Sequence, residues 1–313
     1  MARAVGARSQ LAFAFESVYG TPPGSGFRRL PFVRSDAGAS QPLIESDILG
    51  RGRDPLDPTR DAIAVDGDLV VPICARSWGY WLRAAFGDAS TTDDAGVYTH
   101  VFESGKWSLP SFAIEIAKPE VPSYAMLTGC KLDRLSWTMQ RGGQLTASLS
   151  IVGQDETLTT TSGAGSPADV ALQRFGQFNG AIMRDGSALA NVVSAELTYA
   201  NNLDRIETIR GDGLIEGADP SMAMLSGRMD VRFATTQLLD QAIAGDPCEL
   251  EFAFALAGGE SCTLTAHRVF LPRPRRQIEG PQGVQVSFDW QAALDESEGV
   301  MCTATLVNDV EEY

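Results

Sequence analysis

Hydrophobic and polar residues alternate along much of the chain, which is the pattern of half-buried β-strands. Turn-forming residues, such as the Pro-Pro-Gly of residues 22–24, separate the alternating stretches. The pattern therefore predicts a mainly β fold. The alternating segments are 111–116, 129–137 and 144–151 in the first half of the chain, and 193–199, 249–254, 261–266, 268–271 and 283–290 in the second.

A short strand that leads into a short helix is predicted twice, once in each half. The strands cover residues 67–73 and 227–233, and each begins with a glycine. The helices follow at about 77–86 and 235–244, where they begin at hydroxyl residues and end before a glycine, as helix caps do. Helical spacing places the following residues in the core: Trp78, Trp81, Leu82, Leu239, Ala242 and Ile243.

The same order of elements, a strand, a helix and then several strands, occurs in both halves and predicts a duplicated domain. The first domain covers residues 1–156 and the second covers 174–313. Each is large enough to hold a small core of its own. Residues 157–173 between them are rich in Thr, Ser and Gly, which is typical of a linker or a surface loop.

Two long charged segments occupy corresponding places before the two strand–helix units. We call them arm 1 (residues 43–61) and arm 2 (residues 201–223). Loops of this length in a compact domain are usually functional or disordered. A solvated loop is one interpretation, and contact with a neighbouring subunit is the one we favour. The candidate contact residues are Arg51, Arg53, Asp54, Asp57 and Arg60 in arm 1, and Arg205, Glu207, Arg210, Asp212 and Glu216 in arm 2.

Composition and charge narrow the function. The chain of 313 residues is 44% hydrophobic, yet it has no apolar run long enough to span a bilayer, so we expect no membrane association. Its 40 acidic and 25 basic residues give a net charge of −15, the opposite of the balance in proteins that grip nucleic acid. The apolar run at residues 11–15 is too short for a signal peptide, which predicts synthesis and retention in the cytoplasm.

Residues that could carry chemistry are few. The five cysteines form no C-x-x-C pair, which favours reduced thiols over disulfides or a zinc site. His100 and His267 each lie alone in a strand-like segment, where a structural histidine is more common than a ligand or base. The basic patch at residues 273–276 favours a salt-bridged loop over a nucleic-acid site. We predict no catalytic residue, no cofactor and no metal, and leave open an active site without a known motif.

Several short segments carry a family resemblance: residues 15–22, 67–71, 82–87, Tyr124, 129–130, 143–149, the strand that begins at Gly227, and 268–272. Together they resemble the tail tube proteins of long-tailed bacteriophages. The resemblance covers most of the chain, and its motifs are mainly structural. It implies that each copy is a β-sandwich or partial barrel with one short flanking helix, and that the chain is a tail tube protein with a duplicated tube domain.

The resemblance also implies a location and partners. Subunits of this family form rings that stack into the hollow tail tube of the virion, through which double-stranded DNA passes without sequence-specific binding. The other partners implied are the tape-measure, tail-terminator and tail-tip proteins. A ring needs six tube domains, so two domains per chain favour a trimer with pseudo-sixfold symmetry, and a hexamer is the alternative. Carboxylates in the lumen would repel DNA, but the sequence does not identify the residues that line it.

Three other functions share parts of this profile. A capsid or neck protein would also be β-rich and free of cofactors. A tube protein of a contractile secretion machine is closer, but such proteins are usually shorter and have a single tube domain. A carbohydrate-active β-sandwich enzyme would need converging carboxylates and exposed aromatic side chains. The tryptophans lie mostly in patterned segments, which favours burial in the core: Trp78, Trp81, Trp107, Trp137 and Trp290.

Overall fold

The computed structural model describes residues 3–275, 280 and 283–313, so the predicted basic patch at 273–276 lies partly outside the described residues. The described chain is mainly β, and its sheets do not close into a barrel. It has two α-helices, one in each half, and the predicted fold class is confirmed. Among the described residues, no helix combines the length and the apolar character that a membrane crossing requires.

The first half begins with a short 3-10 helix, Gly6–Arg8. Helix α1 (Trp78–Phe86) lies between strands β7 and β8 of the following series. The strands are β1 (Gln10–Phe15), β2 (Arg28–Leu30), β3 (Arg34–Ser35), β4 (Gly38–Ser40), β5 (Leu43–Ile44), β6 (Thr59–Arg60), β7 (Ala64–Pro72), β8 (Ser90–Asp94), β9 (Val97–Glu103), β10 (Phe112–Lys118), β11 (Ser123–Gln140), β12 (Thr146–Gly153) and β13 (Asp155–Thr159).

The second half repeats this order with fewer strands after its helix. A 3-10 turn, Gln177–Asn179, precedes β15, and helix α2 (Gln237–Ala244) lies between β20 and β21. The strands are β14 (Ala168–Asp169), β15 (Gly180–Arg184), β16 (Ser187–Ala188), β17 (Val192–Ala200), β18 (Asp204–Ile206), β19 (Gly217–Asp219), β20 (Met224–Arg232), β21 (Cys248–Ala255), β22 (Ser261–Phe270), β23 (Gln285–Ala292) and β24 (Cys302–Asn308).

Strand register shows the duplication directly. Gly38 pairs with Asp66, and Thr198 pairs with Ser226. Both positions of the second pair lie 160 residues after those of the first. A bulge in the β10–β11 pair also recurs at the corresponding place in the β21–β22 pair. Because register depends on side-chain facing and bulge position, two unrelated sheets would not share these features. The two halves are therefore copies of one fold.

The two copies share a sheet. The C-terminal part of β11 pairs with β12 on one edge and with β17, from the second half, on the other. The sheet runs in the order β4, β7, β12, β11, β17, β20 and β23, and we call it the inner sheet. One face of it is buried, as Leu149, Trp137, Leu197 and Met229 show. The connection between halves is thus built from backbone hydrogen bonds and a common core.

A second strand pairing joins the two halves at another sheet edge. Strand β9 of the first half pairs with β24 of the second, from Glu103 opposite Thr303 to Tyr98 opposite Asn308. The largest buried cluster accordingly contains side chains from both halves. The domain limits of 1–156 and 174–313 remain a prediction. Because side chains of both halves form one core, neither half alone contains the whole of it.

The Thr/Ser/Gly tract is anchored to the first half. Its start, β13, pairs with β11, and the segment after it is held by Glu115, whose side chain is buried. The Glu115 carboxylate accepts hydrogen bonds from the Ser162 hydroxyl (2.7 Å) and from the backbone N–H groups of Gly163 (2.6 Å) and Ala164 (3.1 Å). Residues 155–164 therefore belong to the first half, where β13 extends the sheet of β1, β10 and the N-terminal part of β11, which we call the outer sheet.

The buried faces of the helices agree with prediction except at one residue. Trp78, Trp81 and Leu82 are buried on α1, and Leu239 and Ala242 are buried on α2. Placing Ile243 in the core was wrong, because it is 52% exposed. The buried stripe of α2 is centred nearer Leu238, so Ile243 falls on its flank.

Two other expectations also fail, one about the helix caps and one about a tryptophan. The hydroxyls predicted to cap the helices, at Ser77 and Thr236, make no capping hydrogen bond. Trp107 is 80% exposed in the connection between β9 and β10, whereas the other four tryptophans are buried. Glycine does end each helix, at Gly87 and Gly245, both with positive φ.

We expect Gly227→Ala to destabilise the protein. A Cβ on Gly227 would lie 2.5 Å from the Trp290 ring and closer still to the backbone oxygen of Glu196, inside the inner sheet. Overpacking of this kind costs about 1–3 kcal/mol of unfolding free energy, measurable by urea denaturation. Gly24→Ala is the control, because a Cβ there meets no atom within 4 Å. Equal stability of the two variants would contradict the close packing.

We also expect Glu115→Gln to be destabilising, although the two side chains have the same shape. One carboxylate oxygen becomes an NH₂ group that cannot accept the hydrogen bonds now made to it, and a buried unsatisfied donor costs about 1–3 kcal/mol. The measurement is again chemical denaturation, with the exposed Glu103→Gln as control. Proteolysis within residues 160–166 should accelerate in the Glu115 variant alone.

Candidate assembly surfaces

The unburied face of the inner sheet is a continuous polar surface that crosses from one half to the other. We call it the polar face. Cross-strand partners lie on the same side of a sheet, so the row Thr138, Glu196, Arg228 and Asp289 spans β11, β17, β20 and β23. Hydroxyl side chains dominate its centre: Ser136, Thr138, Thr146, Ser148, Ser150, Ser194, Thr198, Ser226 and Ser287.

The charges of the polar face are nearly balanced. Outside the area that arm 2 contacts, it carries five carboxylates, Asp36, Asp68, Glu196, Asp230 and Asp289, and four arginines, Arg34, Arg134, Arg228 and Arg232. The net charge of −15 is therefore not concentrated here. A surface of hydroxyls and balanced charges offers a phosphate backbone few uncompensated cations to bind.

Asp230 is the most tightly held of these carboxylates. It accepts hydrogen bonds from Ser287 Oγ (2.5 Å) on β23 and Ser194 Oγ (2.9 Å) on β17, and Arg228 Nε lies 3.5 Å away. The Ser287 hydrogen bond, then that of Ser194 and the charge of Arg228, lower the pKa of Asp230. The carboxylate stays ionised and fixes three adjacent strands of the polar face.

Arm 1 projects from the sheet into solvent. Strands β5 and β6 form its base, and residues 45–58 form its loop. Its predicted contact residues Arg51, Arg53, Asp54, Asp57 and Arg60 are all exposed. The exposed apolar side chains are more unusual: Leu43, Ile44, Ile48, Leu49 and Leu56 all lie on this one segment. An apolar set of this size on one protrusion is typical of an interaction site.

Arm 2 has the same hairpin, β18–β19, but it packs on the first half of its own chain. Arg205 forms an ion pair with Asp66 (2.7 Å), and Lys131 Nζ donates to the Ala218 carbonyl (2.6 Å). Ile215 and Ala218 are buried in a small cluster with Val152. Arm 2 is therefore a contact between halves.

The other predicted residues of arm 2 lie toward its tip. Arg210 and Asp212 pair with each other across 2.7 Å, and hydrogen bonding to Arg210 lowers the pKa of Asp212. Glu207 and Glu216 are exposed. The structure thus brings together Arg205 and Asp66, and Arg210 and Asp212. It brings no charge of arm 1 into an ion pair among the described residues.

The apolar side chains of arm 1 were missed by the sequence reasoning. The charges of this segment predict a contact surface, but they do not point to the apolar side chains of Leu43, Ile44 and Leu49 between them. The feature that indicates them in the sequence is the presence of apolar residues within a stretch rich in Pro, Gly, Asp and Arg. In such a segment an apolar side chain has no core to enter, so it is available for contact with another molecule.

The histidines and cysteines have structural surroundings. His100 is buried; its Nε2–H donates to the Val310 carbonyl (2.8 Å), and its Nδ1 accepts from the Thr91 hydroxyl (2.8 Å). Burial lowers the pKa of His100, so the neutral form is favoured. His267 contacts Thr303 and Glu249. All five cysteines are free and buried, and burial raises the pKa of Cys262 and Cys302 to about 12.

The described residues contain no cluster of three or more potential metal ligands. One cavity beside β1 and β10 is lined by Glu115 and Tyr124, but that carboxylate already accepts three hydrogen bonds from residues 162–164. Another lies beside α2 and is lined mainly by apolar residues such as Leu238 and Phe288. Neither arrangement has the pair of carboxylates that glycoside hydrolysis uses.

Comparison with known families agrees with this geometry. The family model described as phage tail tube protein matches residues 6–292, a range that contains both helices, both arms and the whole inner sheet. No curated protein matches the chain in sequence. A match over most of the chain, on a duplicated β fold with an extended polar face, shows that this chain belongs to the phage tail tube protein family.

Proposed function

We propose that this structural component of the phage tail forms rings that stack into the hollow tail tube, with the polar face lining the channel through which DNA passes. The observation that carries the proposal is the β11–β17 junction. It joins two copies of the tube fold edge to edge, and repetition of the same junction generates a ring. Closure of the ring also removes the sheet edges that would otherwise invite aggregation.

The number of chains follows from the duplication. If one ring holds six tube folds, three chains supply them, and the ring has threefold symmetry with a sixfold-like wall. At each chain boundary, the second half of one chain then contacts the first half of the next. Such head-to-tail contacts are heterologous, and three of them close the ring. A hexamer of two-domain subunits is the alternative, and it would need a ring of twelve folds.

The partners follow from the position of such a ring in the virion. Rings contact each other along the tube, the tape-measure protein inside it during assembly, and the tail-terminator and tail-tip proteins at its ends. The exposed arms supply lateral or axial contacts between subunits. The chain is made in the host cytoplasm and ends in the virion tail, where DNA touches it without sequence-specific binding.

The polar face suits a channel for DNA. Tight binding requires many Lys or Arg contacts to phosphates, each of which releases counterions. On this face Arg228 is flanked by Glu196 and Asp289 in register, so its charge is compensated on both sides. DNA would meet hydroxyls and neutralised arginines and would slide. The overall excess of acid over base in the chain adds long-range repulsion.

We expect electron microscopy of the concentrated protein, or of tails isolated from virions, to show hollow tubes. End-on class averages should have threefold symmetry and six similar lobes. Strict sixfold symmetry, with one two-domain chain in each of the six repeats, would support the tube but exclude the trimer. Absence of rings and tubes from both the purified protein and the virion tail would overturn the proposed function.

We expect the double variant Glu196→Lys, Asp289→Lys to retain DNA in the channel. With Arg228 between them, these substitutions create a row of three cations, whereas the native row has one arginine between two carboxylates. Virions should eject DNA more slowly, and the defect should shrink as salt rises. Asp94→Lys with Glu298→Lys, two exposed acids off the polar face, is the charge-matched control. Ejection at the rate of this control would exclude the polar face from the channel.

A further inference from the structure

We infer that arm 1 docks on the second half of a neighbouring copy of this chain, at the surface corresponding to the one that arm 2 covers on the first half. The inference rests on the proposed ring and specifies one contact within it. It identifies both partners of the chain-to-chain contact by residue. Its basis is that one of two equivalent arm sites is already filled inside the chain.

The two arms are the same hairpin. In arm 1, Ile44 pairs with Thr59; in arm 2, Asp204 pairs with Asp219, and both partners lie 160 residues later. The strands on either side of the arms recur at the same distance, as the pair Gly38–Asp66 and its counterpart Thr198–Ser226 show. Leu43 therefore corresponds to Leu203, and Pro58 to Ala218.

The receiving surfaces also correspond. Arm 2 packs against Lys131 and Val152, which are a cross-strand pair between β11 and β12. The equivalent pair in the second half is Phe270 opposite Gln291, each 139 residues later. No arm of the described chain lies on this second surface, where Phe270 is 37% exposed and the nearby Leu294 is 59% exposed.

The differences between the two sites are complementary. On the filled site, Lys131 lies 3.9 Å from Asp219 of arm 2, a contact between charges. At the open site Phe270 replaces the lysine, and arm 1 has Thr59 in place of the aspartate. Arm 1 also presents Ile44 where arm 2 has Asp204, and Leu43 where Leu203 packs beside Val152. One apolar side chain thus stands in place of a charged one on each partner, Ile44 for Asp204 on the arm and Phe270 for Lys131 on the surface, while Gln291 stands in place of Val152.

Geometry makes the occupant another copy. The base of arm 1 is attached to β4 and β7 at one end of the inner sheet, whereas Phe270 belongs to the half at the other end. In a ring, the second half of one chain lies beside the first half of the next. Arm 1 would then reach its neighbour by the path that arm 2 takes within the chain.

Cross-linking between two singly substituted chains tests this contact. Leu43→Cys chains are mixed with Gln291→Cys chains, assembled, and treated with a short bismaleimide. Because all five native cysteines are buried, the introduced thiols should react selectively. The expected result is a covalent dimer of one chain of each kind, formed in most subunits of the assembled tube and not in dilute monomer. Pro58→Cys mixed with Phe270→Cys is a second pair with the same expectation.

The control pair is Leu43→Cys with Thr92→Cys, an equally accessible thiol on β8 outside the proposed surface. It should give no dimer above background. Tubes that form normally while neither test pair cross-links would overturn this inference and leave the proposed function standing. A native chain that forms no ring or tube, alone or in the virion, would overturn both.

Discussion

The whole structure depends on the pairing of β11 along both of its edges. This strand of 18 residues leaves the outer sheet of the first half, bends at its bulge, and enters the inner sheet between β12 and β17. Leu135 and Trp137 on its inner side then lie in the core of both halves. Breaking either set of backbone hydrogen bonds would expose that core, so the duplication, the polar face and the junction are one system.

In the proposed tube, the polar face and the arms have different roles. A channel lining should bind a polyanion weakly, and hydroxyls with register-matched charges suit that role without a large field of either sign. The arms would bind other surfaces as arm 2 does within the chain. Its hairpin covers a cross-strand pair, forms the ion pairs Arg205–Asp66 and Lys131–Asp219, and accepts side-chain hydrogen bonds at its backbone carbonyls. Surfaces that bind protein and the surface that should bind DNA weakly thus lie on separate parts of the sheet.

Sequence alone predicted the repeat well, since Gly67 and Gly227 mark the same close approach of strands in both halves. It predicted α1 and α2 within two residues, but not which flank of α2 faces inward, because a stripe of three apolar residues leaves Leu238 and Ile243 nearly equivalent. It did not predict that β9 would pair with β24 or β11 with β17. Such pairings join segments more than fifty residues apart, and local alternation carries no information about the partner. For the assembly surfaces, charge identified the arms, while the polar face became visible only once the strands were in register.

The β8–β9 hairpin has no counterpart after α2, where β21 follows within four residues. The two copies are therefore alike in fold but distinguishable at their edges. In a ring of three chains this produces two kinds of seam, one closed during folding and one closed during assembly. Only the second kind depends on protein concentration, because the linked halves meet at a high effective concentration set by their own chain. In the proposed ring, a duplicated chain would thus need half as many encounters as a single-domain subunit, and the tail would grow by fewer and larger steps.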